Sequence, residues 1–172
     1  MTDVTLTIAG QAGQGIDTAS ELLARALVRS GYYTFSYPNL MSRIRGGHNF
    51  TAVRVSDRQV YSAPGKFNAL LAMDERSVNE HRQDMVEGGV IVAEPLKAGG
   101  EGRGAGDKAG QTADLPGRGT RDDGRNNGPT TFRVPMAEIA EKHGGSKTMA
   151  NVVGLGALLA LTGHRLDKLQ GL

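Results

Sequence analysis

Residues 8–15 read Ile-Ala-Gly-Gln-Ala-Gly-Gln-Gly, between a β-patterned run and an amphipathic helical one. Gly10, Gly13 and Gly15 let a backbone approach another molecule closely, and a helix start aims its unpaired N–H groups at that molecule. With Gln11 and Gln14 between them, they form a candidate seat for an anion such as a phosphate. The competing reading is a tight strand-to-helix connection without a ligand. The glycine order is G-x-x-G-x-G, the reverse of the dinucleotide fingerprint, and no Lys-Ser or Lys-Thr follows as in a Walker loop.

A second segment, Ser42-Arg43-Ile44-Arg45-Gly46-Gly47-His48-Asn49, gathers two arginines, a histidine and two glycines. Paired arginines on flexible backbone suit bidentate recognition of carboxylate or phosphate, although interface contacts or surface salt bridges explain them equally well. His48 reads as a hydrogen-bonded structural histidine rather than an acid or base. Lys147 and Asn151 lie one helical turn apart near a helix start, where a phosphate could sit; simple solvation of Lys147 is the alternative. Asp74, at a strand end, reads as a helix cap. No Ser–His–Asp, Cys–His or paired-carboxylate arrangement can be assembled, so no self-contained active site is expected.

The elements that position these residues follow from periodicity. Val4–Ala9 is a first buried strand, and Ile16, Ala19, Leu22, Leu23, Ala26 and Leu27 mark one face of a helix. Gly31 ends it, and Tyr32–Tyr37 is a second strand stopped by Pro38. Phe50–Val55 is expected to form a hairpin with Gln59–Tyr61 through Ser56-Asp57-Arg58. Ala69–Met73 reads as a central strand, Glu75–Val86 as a helix, and Val90–Ala93 and Thr131–Val134 as further strands. A short helix with Met136, Ile139 and Ala140 closes at Gly144-Gly145, and Ser146 caps an apolar helix from about Lys147 to Leu161. In that helix Gly154, Gly156 and Ala157 suit close packing on a neighbouring backbone.

The fold class is therefore α/β: three layers, a mixed and mostly parallel sheet flanked by helices, with a Rossmann-like start. The glycine turn and the arginine segment should open on the same carboxyl edge of the sheet, where such folds bind ligands. A nicotinamide dinucleotide is disfavoured, because Ser36-Tyr37-Pro38-Asn39 offers no acidic residue for the ribose at the end of the second strand.

Length and composition agree with one domain over residues 1–172, interrupted at about 97–128 by an expected flexible insertion. That stretch holds ten glycines, six Lys or Arg and five Asp or Glu, with Leu115 its only large apolar residue, too little to offset the entropy of ordering. There is no cysteine, hence no disulfide and no thiolate ligand for an iron–sulfur cluster. The four histidines show no metal-ligand spacing, and a net charge of +2 does not argue for nucleic acid. No secretory leader or membrane-length apolar run is present, so a cytoplasmic location is expected.

Together, Gly10-Gln11-Ala12-Gly13-Gln14-Gly15-Ile16, the Ser42–Asn49 segment and Val53-Arg54-Val55-Ser56-Asp57 resemble the gamma domain of 2-oxoacid:ferredoxin oxidoreductases. Lys147-Thr148-Met149-Ala150-Asn151 and Gly154–Leu158 are similar to that family's final helix. The resemblance spans roughly residues 3 to 163 apart from the insertion, and is greatest to the 2-oxoglutarate or general 2-oxoacid branch, where this domain is often fused ahead of the pyrimidine-binding domain of an alpha subunit. It departs from the pattern in its long glycine-rich insertion and in stopping soon after residues 166–169, as a part of a larger subunit or complex would.

The resemblance implies a role in oxidative decarboxylation of a 2-oxoacid to an acyl-coenzyme A, with electrons passing to ferredoxin. Thiamine diphosphate, magnesium and iron–sulfur clusters would be held by partner domains or subunits, and none by this chain alone. Coenzyme A would be the cosubstrate over which this domain helps to close. Gly10, Gln11, Gly13, Gln14 and Gly15 would shape the turn facing that interface, and Arg43, Arg45, Gly46 and Gly47 would lie near the core or the coenzyme's phosphates. Lys147 and Asn151 complete the candidate binding set; no catalytic or metal-binding residue is expected. Partners would be the thiamine-binding and iron–sulfur subunits and, indirectly, ferredoxin, with neither nucleic acid nor membrane; a homodimer of the isolated chain is compatible with this. The alternative is a stand-alone module for a nucleotide or phosphate ligand.

Overall fold

A computed structural model describes residues 3–40, 47–62, 65–96 and 128–163. The expected insertion, save Gly128, lies outside these residues, as do Arg43, Arg45 and Gly46. Six strands form one sheet in the order β2-β3-β1-β4-β5-β6. Strand β1 (Asp3–Gln11) pairs in parallel with β4 (Phe67–Ala72), β4 with β5 (Met85–Ala93), and β5 with β6 (Thr130–Arg133). Strand β3 (His48–Ser56) runs antiparallel to both β1 and β2 (Tyr33–Leu40), so five of the six strands point the same way. This is the expected mixed, mostly parallel architecture.

The sheet lies between two helical layers. On one face, Leu6, Ile8, Val53, Val55, Leu71 and Val92 pack against Leu23 of α1 (Ile16–Arg29), Met136 of α3 (Met136–Gly144) and Leu158 of α4 (Ala150–Leu161). On the other, Leu70, Ile91, Phe67 and Met85 pack against Val78 of α2 (Glu75–His81). Each fully buried aliphatic side chain contributes about 1.5–3 kcal/mol of transfer free energy, so the sheet centre carries most of the stability.

Helix ends follow local chemistry. Helix α1 closes as expected at Gly31, whose φ of 89° lets the Gly31 N–H reach the Val28 carbonyl at 2.9 Å and the Tyr32 N–H reach Leu27 at 3.1 Å. Asp74 caps α2, its Oδ1 accepting from the Ser77 N–H at 2.8 Å and the Ser77 hydroxyl at 2.7 Å. Ser146 accepts from the Thr148 N–H at the start of a 3-10 turn, Lys147–Met149, that runs straight into α4. A Cβ on Gly154 would overlap the Met136 Sδ and sit 2.5 Å from Leu71 Cδ1, so this glycine lets α4 lie close to the sheet; Gly156 faces open space.

Three expectations are corrected. Pro38 does not stop β2, which continues to Leu40; the strand is at the sheet edge, where one side needs no N–H donor. β3 makes no hairpin with Gln59–Tyr61, which are not in a strand. It pairs with β2 and β1 instead, and both its faces are largely buried, an environment that an exposed two-stranded hairpin would not supply. The helix after Asp74 ends at His81, followed by one 3-10 turn (Arg82–Asp84), because Met85 pairs with Phe67 at the start of β5. The register then shifts, with Ala69 opposite Val90, and Gly88 at φ 69° turns the chain within the irregularity.

Candidate anion-binding site

The glycine turn leaves the carboxyl end of β1 and enters α1. The Gln14 Oε1 accepts the Gln11 N–H at 2.6 Å, and the Gln14 N–H returns to the Gln11 carbonyl at 3.1 Å, closing the turn on itself. Each glycine has its own reason. A Cβ on Gly10 would overlap the Gln14 amide oxygen and lie 2.8 Å from Met73 Cβ. Gly13 and Gly15 have φ of 95° and 75°, in the region that favours glycine. Gly15 also abuts the Asn151 side chain, whose Nδ2 donates to the Gly15 carbonyl at 3.0 Å. Gly15 offers no capping side chain, so the first N–H groups of α1, on Ile16, Asp17 and Thr18, have no intrahelical partner and face outward from the helix start.

The described end of the second segment, Gly47–Asn49, meets this turn. The Ala12 N–H donates to the Gly47 carbonyl at 3.1 Å, and Gly10 and Gln11 pair with Asn49 and His48 in the β1–β3 ladder. Beside them lies a cavity of about 230 Å³ lined, among the described residues, by Ala12, Gly13 and residues 15–18 of the turn and helix start, by Leu40 and by Asn49. That is below the roughly 300–1,000 Å³ of a typical small-molecule pocket, and suits one anionic group rather than a whole nucleotide. Among the described residues that line it, Asp17 alone is charged, so what these residues offer an anion is N–H dipoles rather than positive charge. Arg43 and Arg45 belong to the segment 41–46, outside the described residues, which joins Leu40 on the cavity wall to Gly47.

The two remaining candidates differ in placement. Asn151 is buried and occupied: its Nδ2 holds Gly15 and its Oδ1 accepts the Val152 N–H at 2.9 Å. It buttresses the turn from behind. Lys147 does not line the cavity; it is exposed and pairs with Glu141 at 3.3 Å.

Two features had no signal in the sequence. Glu94 joins three elements: its Oε1 accepts the Ala137 N–H at 2.6 Å at the start of α3, and its carbonyl accepts from Arg133, which also grips Glu75 with both terminal nitrogens. His48 and His81 are buried side by side, Nε2 to Nε2 at 2.8 Å, on the sheet face covered by α2. His81 also meets Asp84, Nδ1 to Oδ2 at 3.0 Å. Burial lowers the His48 pKa below the ordinary histidine value, outweighing the opposing pull of the Glu80 carboxylate. The Arg76 hydrogen bond in turn holds Glu80 below the usual carboxylate range.

Among the described residues no group of three or more His, Cys, Asp or Glu could hold a metal ion, and no helix is long and apolar enough to cross a membrane.

Residues 5–171 match the family described as pyruvate ferredoxin/flavodoxin oxidoreductase. The chain is 31% identical over 167 residues to ketoisovalerate oxidoreductase subunit VorA of Methanothermobacter thermautotrophicus, covering 96% of this chain and 30% of that subunit. Its fold is shared with 2-oxoglutarate:ferredoxin oxidoreductase of Magnetococcus marinus, solved with 2-oxoglutarate, coenzyme A and succinyl-CoA bound (TM-score 0.74, 22% identity, 98% of this chain and 26% of that one). It is shared also with the gamma subunit of a keto/oxoacid ferredoxin oxidoreductase of Geobacter sulfurreducens (TM-score 0.67, 23% identity, 96% of this chain and 82% of that one). The chain thus spans less than a third of the VorA length. With the match running through the glycine turn, the Gly47–Asn49 ladder and α4, this chain belongs to the pyruvate ferredoxin/flavodoxin oxidoreductase family.

Proposed function

We propose that this chain is the gamma component of a 2-oxoacid:ferredoxin oxidoreductase, which decarboxylates a 2-oxoacid oxidatively to an acyl-coenzyme A and reduces ferredoxin. Its part is positional: it forms one domain that docks on the catalytic subunits and seats an anionic group of coenzyme A. The observation that supports this reading is the meeting of the glycine turn with Gly47 and Asn49, the end of the second motif, beside one cavity. The outward N–H groups of α1 border it, and the Ala12–Gly47 hydrogen bond ties the glycine turn to the segment that bears Arg43 and Arg45. Helix-start donors and arginine forks are complementary to phosphate oxygens, and holding the cosubstrate in place lowers the entropic barrier to acyl transfer.

Thiamine diphosphate, magnesium and the iron–sulfur clusters belong in this reading to the partner subunits. The absence of cysteine from the sequence leaves this chain no thiolate to offer a cluster. Asn151 acts in the binding set from behind the turn by fixing Gly15, whereas Lys147 is exposed and paired with Glu141. The cytoplasm is the proposed compartment, where ferredoxin-linked chemistry would run.

Affinity purification of the chain from its native cells tests the assignment. A stoichiometric complex with a thiamine diphosphate-containing subunit and a cysteine-rich cluster-bearing subunit, active with a 2-oxoacid only when coenzyme A is present, is the expected result. A monomer with micromolar affinity for a free nucleotide, or turnover of a 2-oxoacid by the isolated chain, would contradict it.

A further inference from the structure

We propose that His48 and His81 are positioning residues for the glycine turn, a buried imidazole pair that holds the start of β3 only while it carries two protons in all. Both rings are nearly out of solvent, His48 at 2% and His81 at 5% exposure, and Phe50 and Phe67 enclose them, with Phe50 edge-on to His81 at a ring distance of 4.7 Å and Phe67 at 5.7 Å.

The proton positions follow from the neighbours. Asp84 lies 3.0 Å from His81 Nδ1 and accepts, so that nitrogen carries a proton and His81 Nε2 is a bare acceptor. His48 Nε2–H then donates across the 2.8 Å gap to His81 Nε2, with Glu80 Oε2 at 3.3 Å as a second acceptor. His48 Nδ1 is left bare, in agreement with its being buried with no hydrogen-bond partner.

A third proton has no good place to go. On His48 Nδ1 it would make a buried N–H with no acceptor among the described residues. On His81 Nε2 it would set two N–H groups head to head at 2.8 Å, unless the His48 proton moved to that same orphan Nδ1. The groups around His48 are the Glu80 and Asp74 carboxylates, which favour its cation, and Arg76, which opposes it, as His81 would if it gained a proton; burial is the largest influence and lowers the His48 pKa. Asp84 faces His81 from the 3-10 turn. Because the unfolded chain takes up the proton at about 6.5 and the folded chain only at a lower pH, this contribution to stability is complete above about pH 6.5. It is lost as pH falls through the lowered folded value.

The consequence reaches the cavity through the backbone. His48 is the first residue of β3, pairs with Gln11 at the last rung of the β1–β3 ladder, and follows Gly47, whose carbonyl receives the Ala12 N–H. A terminal rung opens at lower cost than an interior one, so parting the two rings releases Ala12 before the sheet itself is affected. The coupling runs from an imidazole pair to an amide of the turn, whichever anion the turn accepts.

Hydrogen exchange of the Ala12 amide in the 172-residue chain tests this, read as protection after correction for intrinsic exchange. Between about pH 7.5 and about pH 5, Ala12 protection should fall about tenfold or more while the Ile8 amide, in mid-strand, stays protected. In the double variant His48→Phe/His81→Phe, an apolar pair of similar shape, the fall should disappear. A flat wild-type profile, or the same fall in the double variant, would overturn the proposal. Imidazole nitrogen shifts give a check that needs no variant: at about pH 7.5 His48 should carry its proton on Nε2. A proton on Nδ1 would overturn it equally.

Discussion

Replacing Gly15 with alanine should lower the unfolding free energy by about 2–5 kcal/mol, from two separable costs. An L-residue at φ 75° costs about 1–2 kcal/mol where glycine costs nothing. The new methyl also overlaps the Asn151 amide, so the Nδ2 donor must leave the Gly15 carbonyl. Asn151 is only 5% exposed and finds no water in exchange, and stranding a buried amide costs about 1–3 kcal/mol. For a domain of this size the melting temperature should fall by about 5–15 °C. Urea unfolding of Gly15→Ala, Asn151→Ala and the double variant reads the coupling: the overlap vanishes once Asn151 is truncated, so the double variant should be less destabilised than the sum of the single ones. Additive losses, or a Gly15→Ala effect under about 0.5 kcal/mol, would show that Asn151 does not buttress the turn.

The second large effect is on cosubstrate binding. In the assembled enzyme, Arg43→Ala/Arg45→Ala should raise the apparent KM for coenzyme A about a hundredfold or more. Each arginine–phosphate contact is worth about 1.5–3 kcal/mol and each 1.4 kcal/mol is a factor of ten. The loss should fall on KM rather than kcat, since in the proposed reading these contacts would be made equally before and during acyl transfer. Lysine at both positions should recover part of the affinity, because it restores charge but not the planar fork. Unchanged coenzyme A kinetics with unchanged assembly would remove the two arginines from the site.

Local chemistry made much of this fold legible. The apolar stripe from Ile16 to Leu27, ended by Gly31, and the Asp74 cap depend on neighbours within a few residues, and both took the form their sequence implies. The turn at Gly13 and Gly15 was equally visible, because positive φ demands glycine. What escaped depends on distant partners. Val78, His81 and Met85 keep a helical spacing, so nothing local shows that Met85 is drawn into the sheet opposite Phe67. Pro38 breaks a central strand but not an edge one, and its position at the edge follows from β3 inserting between β2 and β1. The second strand's partner lies in tertiary contacts that residues 50–61 do not encode by alternation.

At the candidate site the same division holds. The glycine turn and the arginine segment are evident as motifs, and a shared sheet edge is expected for them; the Ala12–Gly47 bond brings the end of that segment to the turn, while Arg43 and Arg45 lie outside the described residues. Asn151 enters the candidate set because it lies one helical turn from Lys147 near a helix start; that spacing does not reveal that its amide donates to the Gly15 carbonyl. The His48–His81 pair, 33 residues apart, carries no spacing signal at all.

The proposed seat for coenzyme A's anionic group is tested most directly by hydrogen exchange of the assembled oxidoreductase with and without coenzyme A. Saturating coenzyme A should slow exchange at the amides from Gly13 to Thr18, which border the cavity at the start of α1, and leave α3 unchanged. Equal exchange at those amides with and without coenzyme A, in an enzyme shown to bind it, would contradict the assignment.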